Sequence, residues 1–412
     1  MRLIRRDPDA VRAALSRRGP EAAAAVGRVL ELDERWRGLT AALEQLRAEQ
    51  NRASRSLKGA PSEQQRHELA ELAARGRSLS DEESAVRAQR DAALAALPNL
   101  PAPDAPPQDT VLREVGEGKA TGRDHLELAG EMIDMERGAR LSGSRFAYLR
   151  GDLVLLELAL VRYAFDKLGG LGFEPVIPPV LVRERALYGT GMLPDTEQQI
   201  YALPDDGLYL AGTSEVALAS LHQDEILAGD TLPLRYAGFS SCFRREAGAA
   251  GKDTRGIFRV HQFDKVEMFC FVAPESASAE HERLLSIEES IMQELEIPYR
   301  VVSIAVDDLG ASAAKKYDVE GWLPGQGRYR ELTSCSDTTD YQARRLDIRY
   351  RAGDGKPAHV ATLNGTAVAV GRTIIALLEN GQQPDGSVKL PEVLSPLGAP
   401  ATLGPAPGLN GG

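Results

Sequence analysis

The sequence predicts an α+β protein in two parts: an all-α antiparallel coiled-coil hairpin, followed by a larger part built on an antiparallel sheet flanked by helices. Three observations lead to this prediction. A heptad pattern of apolar residues fills roughly the first quarter of the chain, a proline-rich segment ends it, and apolar strand-like runs follow with few helices between them. Strands that are rarely separated by crossover helices favour an antiparallel sheet over a parallel one.

The hairpin is predicted from the segment 26–97. Apolar residues occupy the a and d positions of a heptad at Val29, Leu32, Trp36, Leu39, Leu43, Leu46 and Leu57, and again at Leu69, Leu72, Leu79, Val86 and Ala93. Gly59 and Pro61 separate the two halves, because both residue types disfavour the interior of a helix. We therefore expect two long helices that fold back on one another and project as an arm from a small helical domain, which together cover residues 1–100.

The tip of this arm carries an excess of positive charge, although the whole chain has a net charge of -11. Between residues 47 and 66 two acidic residues stand against five basic ones, Arg47, Arg52, Arg55, Lys58 and Arg66. Such a patch can bind the phosphate backbone of a nucleic acid. Ordinary solvated positions of a coiled coil explain the same charges equally well, and coiled coils more commonly bind or dimerise with proteins.

A proline-rich segment, "LPNLPAPDAPPQD", begins at Leu97 and marks the boundary between the two parts. Proline fixes φ and lacks an N–H group, so this segment cannot continue a helix and acts as a stiff connector. We assign residues 101–115 to a linker and 116–396 to the second domain. The last residues, 397–412, are rich in glycine, proline and alanine and are predicted to be a disordered tail.

Composition excludes several classes of protein. The three cysteines, Cys242, Cys270 and Cys335, form no C-x-x-C pair, so neither a disulfide framework nor a zinc site is expected. No apolar run approaches the roughly 18 residues of a membrane span, and no apolar segment follows the basic start of the chain. The sequence therefore predicts a cytoplasmic protein that does not associate with membranes.

Arginines are concentrated in a stretch that begins at Ser241, "SCFRREAGAAGKDTRGIFRVHQFDKVEMF". We expect two antiparallel strands joined by a flexible glycine-rich loop, with Arg244 and Glu246 on one face of the first strand and Arg259, Phe263 and Glu267, spaced four residues apart, on the second. A guanidinium binds phosphate bidentately, an aromatic ring stacks on a purine, and a carboxylate can bind an ammonium or hydroxyl group. Each residue alone has a structural explanation, as an ion pair or a core aromatic, but the combination favours a nucleotide site.

The usual glycine-rich phosphate-binding motifs are missing, so a nucleotide would be held by another device. The segments that could supply it resemble the three motifs of class II aminoacyl-tRNA synthetases, in the same order. "GFEPVIPPVL", which contains Pro179, resembles motif 1; "FRRE" with "RVHQFDKVE" resembles motif 2; and "LNGTAVAVGRTIIALLE", which contains Arg372, resembles motif 3. Together with the hairpin and the segments "AGTSE" and "ELTSCSDTTDYQARR", these motifs make the chain resemble the bacterial-type seryl-tRNA synthetases. The resemblance extends from residue 1 to about residue 395.

This resemblance implies an activity and partners. It implies ATP-dependent activation of L-serine to seryl-adenylate and transfer of serine to the 3′ end of tRNA(Ser), and also of tRNA(Sec). It implies a catalytic domain with an antiparallel sheet flanked by helices, and a homodimer formed through motif 1. The arm would bind the elbow and long variable arm of the tRNA, and the anticodon would not be read.

The resemblance also implies a role for individual residues. The catalytic residues would be Arg244, Glu246, Arg259 and Arg372. The ATP-binding residues would be these four together with Val260, Phe263, Glu331 and Ser334. Glu331 and Ser334 would also bind Mg²⁺, so ATP and Mg²⁺ are expected and zinc is not. The serine-binding residues would be Thr213, Glu215, Arg244, Glu267, Asn364 and Thr366, and the tRNA-binding residues would be the five basic residues at the tip of the arm.

Two other functions stay open from the sequence alone. An amino-acid ligase that charges a carrier protein has a similar core, but such relatives typically lack the arm. A non-catalytic paralogue could bind RNA or protein through the hairpin, but every motif position here carries usable chemistry. The sequence does not separate a housekeeping enzyme from an antibiotic-resistant second copy. It departs from the family at Arg245, where serine is common; because Arg245 faces the opposite side of the strand from Arg244, we expect little effect.

Overall fold

The computed structural model describes residues 1–56, 59, 61–195, 198–247, 251 and 253–404. The chain forms two compact units, one covering Met1–Pro101 and the other beginning at Ala102. Among the described residues, no helix combines the length and the apolar character needed to cross a membrane.

The described residues of the N-terminal unit form helices and no strand, and these helices are α1 (Arg2–Arg6), α2 (Pro8–Ser16), α3 (Pro20–Ser56) and α4 (Glu63–Ala95). Helices α3 and α4 contain 37 and 33 residues and pack against each other as the predicted antiparallel hairpin. Their seam buries Val29, Leu32, Leu43, Leu46 and Val86. The seam residue Leu57 lies outside the described residues. Helix α4 begins with a capping box in which Ser62 and Gln65 each bond the other's backbone N–H.

A buried carboxylate ties α1 to the hairpin. The Asp33 side chain is 1% exposed and accepts two hydrogen bonds from the Arg5 guanidinium, at 2.8 and 2.7 Å. Arg37 and Arg90 approach the same carboxylate at 3.3 and 3.7 Å, and Arg90 also lies over the Trp36 ring, 4.1 Å from its centre. The hydrogen bonds from Arg5 outweigh burial and hold the pKa of Asp33 below its usual value. One acidic residue therefore joins α1, α3 and α4.

The second unit contains most of the secondary structure. Its strands are β1 (Thr110–Val115), β2 (Ile133–Asp134), β3 (Tyr148–Leu149), β4 (Glu174–Val176), β5 (Leu181–Arg183), β6 (Tyr201–Leu203), β7 (Leu208–Leu210), β8 (Ile226–Ala228), β9 (Leu234–Phe243), β10 (Gln262–Val272), β11 (Tyr299–Ser303), β12 (Lys315–Leu323), β13 (Arg328–Asp337), β14 (Arg349–Arg351), β15 (Ala358–His359), β16 (Ala361–Ala369), β17 (Val388–Lys389) and β18 (Thr402–Leu403). Its helices are α5 (His125–Ala129), α6 (Met135–Ser142), α7 (Asp152–Gly170), α8 (Glu184–Thr190), α9 (Glu215–Ala219), α10 (Ala277–Glu294), α11 (Tyr341–Leu346) and α12 (Val370–Gly381).

Eight strands form the central sheet, in the order β1-β11-β12-β13-β16-β10-β9-β4. Every neighbouring pair is antiparallel except β4 with β9, so the predicted antiparallel sheet is confirmed. Helices α7, α10 and α12 contribute buried residues to one core with the central strands. The sheet therefore presents the middle strands β10, β13 and β16 as a rigid platform for a site.

Two predicted boundaries are wrong. The linker was expected to extend to residue 115, but Thr110–Val115 is strand β1, which pairs with β11 at the edge of the central sheet. The tail was expected to be disordered from residue 397, but β18 pairs with β17, and Leu403 is buried. Composition failed here because a few apolar residues, Leu397, Ala399 and Leu403, anchor a segment that is otherwise rich in glycine, proline and alanine. Residues 405–412 lie outside the described residues.

Candidate active site

The arginine-rich stretch brings the end of β9 next to the start of β10. Phe243 and Gln262 are the last paired residues, and the Arg244 N–H continues the pairing by donating to the His261 carbonyl at 3.0 Å. The next residue turns away, since the Arg245 N–H donates to Gln199 instead. Residues 244, 246, 259 and 260 therefore lie just beyond the strand ends, and the expectation that the strands themselves carry them is corrected.

A cavity with about 610 Å³ of empty space opens at this end of the sheet. Its lining includes all eight residues predicted to bind ATP, of which Arg244 was also predicted to bind serine, and one further residue predicted to bind serine: Arg244, Glu246, Arg259, Val260, Phe263, Glu331, Ser334, Arg372 and Thr366. We refer to this site as the cationic cavity, because three arginines point into it.

The arginines of the cationic cavity are held in place before any ligand arrives. Arg259 donates to Glu246 at 2.7 Å. Arg372 donates to the Glu331 carbonyl at 2.9 Å and lies 3.5 Å from its carboxylate. The Arg244 Nε atom donates to the Gly212 carbonyl at 3.1 Å. Each guanidinium is therefore oriented by at least one acceptor, and a guanidinium has five N–H donors with which it can also bind a ligand.

A bulge in β13 places Glu331 and Ser334 on the same side. Residues three apart on a regular strand face opposite sides. Here Thr333 pairs with Val319 and Glu331 pairs with Glu320, so one extra residue, Leu332, is inserted between them. The bulge turns both oxygen-bearing side chains toward the cationic cavity. Burial raises the pKa of Glu331, but Arg372, Lys316 and Arg244 outweigh burial and hold it below its usual value.

A buried acidic cluster around Glu267, which we call the acidic pocket, lies beside the cationic cavity. This carboxylate is 3% exposed. It accepts a hydrogen bond from the Thr213 hydroxyl and another from Ser214 at 3.1 Å, and it pairs with the Lys265 ammonium at 2.9 Å. Thr366 lies opposite Glu267 on β16. Strand β10 therefore serves both sites: Phe263 and Lys265 line the cationic cavity, and Glu267 lies in the acidic pocket.

Glu215 extends the acidic pocket. Its carboxylate accepts hydrogen bonds from the Asn364 and Gln342 amides at 2.9 and 2.7 Å, and its backbone N–H lies 3.3 Å from the Glu267 carboxylate. Burial, followed by the charge of Glu267, raises the pKa of Glu215 to about 7. Thr213, Glu215, Glu267 and Asn364, all predicted from the sequence to bind serine, thus belong to one hydrogen-bonded network.

Comparison with known proteins assigns the family. The tRNA synthetase class II core domain (G, H, P, S and T) matches residues 201–381, and the seryl-tRNA synthetase N-terminal domain matches residues 1–101. A serine–tRNA ligase of Streptomyces coelicolor is 52% identical over 98% of this chain and 99% of its own length. The chain belongs to the seryl-tRNA synthetase family. The family resemblance predicted from the motifs is confirmed.

Two solved structures of the seryl-tRNA synthetase family resemble this chain over nearly its whole length. The seryl-tRNA synthetase of Pyrococcus horikoshii, complexed with ATP, has a TM-score of 0.91 at 41% identity and covers 98% of this chain and 99% of its own. The cytoplasmic serine–tRNA ligase of Naegleria fowleri, in complex with AMP, has a TM-score of 0.84 at 32% identity and covers 96% of this chain and 95% of its own. The predicted fold class is therefore confirmed.

Several residues of this family member's site were missed in the sequence. Lys265 is buried and donates to Thr213 at 2.8 Å; its spacing of two from Glu267 on a strand was a usable signal. Arg330 binds Asp253 through two bonds, at 2.9 and 2.7 Å, and lies over Phe258, 3.8 Å from the ring centre. No local signal joins these three residues, because the pairing depends on how β13 meets the loop before β10.

The predicted tRNA-binding residues belong to the N-terminal unit. Arg47, Arg52, Arg55 and Arg66 are exposed, and none of the four pairs with a carboxylate among the residues that the structure describes. Lys58 lies outside the described residues. The excess of charge predicted at the tip is therefore presented to solvent by these four side chains.

Proposed function

We propose that this chain activates L-serine with ATP and transfers the seryl group to the 3′ end of tRNA(Ser). The observation that carries the proposal is the contact between the two pockets. The cationic cavity suits a triphosphate, and the acidic pocket suits a small ammonium- and hydroxyl-bearing ligand. Arg244 and Thr366 line the cavity, while Thr366 faces Glu267 and Arg244 binds the carbonyl that precedes Thr213. A nucleotide and an amino acid bound in this way would meet at Arg244.

In the proposed reaction, a carboxylate oxygen of serine attacks the α-phosphorus of ATP. The bond from that phosphorus to the bridging oxygen breaks, which yields seryl-adenylate and pyrophosphate. Arg244 would hold the α-phosphate together with the serine carboxylate, and Arg259 and Arg372 would neutralise the other phosphates. Phe263 would stack on the adenine, with Glu246 and Val260 beside it. Positioning and charge neutralisation are sufficient for such a transfer, so no protein nucleophile is needed.

We also propose a Mg²⁺ site formed by Glu331 and Ser334. Both offer oxygen atoms to the cationic cavity, and Mg²⁺ is a hard ion that prefers oxygen ligands and bridges phosphates. Among the described residues, no group of three or more histidine, cysteine or acidic side chains could hold a metal. A site of two protein ligands fits an ion that is also bound by substrate phosphates. When bound, the ion would supply positive charge to the triphosphate.

Serine would be selected by the acidic pocket. Glu267 and Glu215 would attract the ammonium group of the substrate. The side chains of Thr213, Asn364 and Thr366 would form hydrogen bonds with the substrate. Alanine would leave buried polar groups unpaired, and sites of this kind reject such an analogue by roughly 10⁴ to 10⁵. Threonine would be rejected by size.

The second step would occur on tRNA bound by the arm. The 3′-terminal ribose hydroxyl attacks the activated carbonyl, and AMP leaves. Arg47, Arg52, Arg55, Lys58 and Arg66 are proposed to contact the tRNA phosphate backbone. Because the arm would recognise tRNA by shape and phosphates, we extend the proposal to tRNA(Sec).

We further propose a homodimer formed through motif 1. Beside this motif, Leu155 and Leu158 on α7 are 48% and 61% exposed, and Ile177 after β4 is 79% exposed. A cluster of exposed apolar residues next to a sheet edge is typical of a protein interface. Light scattering after size exclusion tests this: we expect twice the chain mass, and a monomer for Leu158→Glu combined with Ile177→Glu.

Exchange of labelled pyrophosphate into ATP tests the activation step. We expect this exchange to require serine. Alanine or threonine at the same concentration should not support it. Equal exchange with alanine, or none with serine, would contradict the proposed substrate.

A further inference from the structure

A buried histidine–glutamate pair lies behind the cationic cavity. His125 begins α5 and is 4% exposed, and Glu379 lies in α12 and is fully buried. One Glu379 oxygen accepts from both the His125 backbone N–H and its ring Nδ1, each at 3.2 Å. The other accepts from the Gly325 N–H at 2.8 Å. Neither residue lines the cavity. A fully buried carboxylate is costly unless it is paired and hydrogen-bonded, so Glu379 depends on these three bonds.

The pair reaches the site through the backbone of Ile257. Because Glu379 accepts at Nδ1, the ring proton resides there and Nε2 is left as an acceptor. The Ile257 N–H donates to Nε2 at 3.3 Å. Gly256 makes this approach possible: its φ is +80°, and a Cβ atom there would lie 2.1 Å from Nε2. The imidazole therefore bridges a buried carboxylate and the chain that leads into the cavity.

Phe258, the residue after Ile257, packs against two arginines, Arg372 of the cationic cavity and Arg330. The Phe258 ring lies 4.7 Å from the Arg372 guanidinium and 3.8 Å from that of Arg330. Arg372 and Glu379 belong to the same helix, seven residues apart, so they lie about two turns apart on one face. Helix α12 thus contacts this segment twice: directly through Arg372, and through Glu379 and His125.

We propose that His125 and Glu379 are positioning residues of the nucleotide site. The pair fixes the backbone of residues 257–259. Phe258 then holds the Arg372 guanidinium toward the phosphates, and the Arg259 side chain is directed into the cationic cavity. Neither residue of the pair contacts substrate. This inference rests on the proposed binding of ATP in the cationic cavity.

Kinetics of pyrophosphate exchange test the proposal. His125→Ala should raise the KM for ATP about tenfold, as expected for one lost hydrogen bond, with the KM for serine changed less than twofold. His125→Gln, whose amide oxygen can replace Nε2 as the acceptor, should restore most of the ATP affinity. The matched control is His222→Ala, which removes another hydrogen-bonded histidine, bound to Tyr236 and Glu225; it should leave the KM for ATP unchanged.

Hydrogen exchange gives a second measurement that does not need catalysis. In His125→Ala the Ile257 amide should exchange faster than in the wild-type chain, while His222→Ala should not affect it. If the alanine variant does not fold, Glu379→Gln replaces it, because its amide cannot accept all three hydrogen bonds. The proposal is overturned if both KM values rise together, if His125→Gln behaves like His125→Ala, or if Ile257 exchange is unchanged. A wild-type chain without exchange activity contradicts the proposed function instead, and Ile257 exchange still decides the positioning role.

Discussion

The arginines at the tip of the hairpin and those of the cationic cavity differ in what holds them. Arg52 and Arg55 extend into solvent, whereas Arg259 and Arg372 are each held by an acceptor within 3 Å. A surface that binds a large polyanion can gain affinity from many loosely placed charges. A site that stabilises a transition state needs its charges fixed in advance, because reorganisation during the reaction raises the barrier. The difference predicts where a single substitution is tolerated and where it is not.

The largest effect is expected at Arg244. Arg244→Ala removes the cation that both substrates would share, so the rate of serine-dependent pyrophosphate exchange should fall by about 10³. Arg245→Ala is the matched control, since this neighbour is exposed and does not line the cavity; its rate should stay within twofold of wild type. Similar losses in both variants would show that the charge of the whole stretch matters and not the placement of one residue.

The next effect concerns the acidic pocket. Glu267→Gln keeps the shape but removes the charge that pairs with Lys265 and would bind the serine ammonium. We expect kcat/KM for serine to fall about 100-fold, as for a lost charged hydrogen bond, with the KM for ATP nearly unchanged. Glu275→Gln, an exposed change, serves as the control. An equal effect on ATP would mean that the two pockets are not separate.

The arginines around Asp33 in the N-terminal unit are also held in place, so a substitution there should have a large effect, as in the cationic cavity. Asp33→Asn breaks the buried pairing with Arg5, so the free energy of unfolding of the N-terminal unit should fall by about 2 kcal/mol. Hydrogen exchange of α3 and α4 in the full chain measures this. Because the folded pKa of Asp33 is lowered, its contribution is present above the unfolded value of about 3.9 and is lost as the pH falls through the folded pKa. Equal acid sensitivity of the Asp33→Asn variant would contradict this account.

The smallest effect is expected for a single exposed arginine at the tip. Arg52→Glu should raise the KM for tRNA by about tenfold or less and make its salt dependence shallower, while pyrophosphate exchange stays unchanged. Glu63→Gln near the same tip is the control and should not weaken binding. A loss of exchange in Arg52→Glu would refute the separation of the two units' roles.

The parts predicted from the sequence are those with local signals. The hairpin follows from a heptad that Gly59 and Pro61 interrupt, and the pairing of β9 with β10 follows from a polar loop between apolar runs. The bulge at Leu332 was not predictable, because it exists only in the pairing of β13 with β12. The His125–Glu379 contact joins residues 254 positions apart; Glu379 ends the motif 3 segment, but His125 belongs to no motif, so nothing in the sequence joins the two. A single sequence therefore does not show which residues far apart in the chain contact each other.

Transfer of labelled serine to tRNA tests the central claim most directly. Purified chain, ATP, Mg²⁺, labelled serine and total bacterial tRNA are incubated, and the product is divided into samples with and without ribonuclease. The proposal predicts label that depends on ATP, that ribonuclease removes, and that Arg244→Ala fails to produce. Label that resists ribonuclease and appears only with a carrier protein would contradict it in favour of a carrier-charging ligase, and no label with folded protein and active tRNA would leave a non-catalytic binding protein.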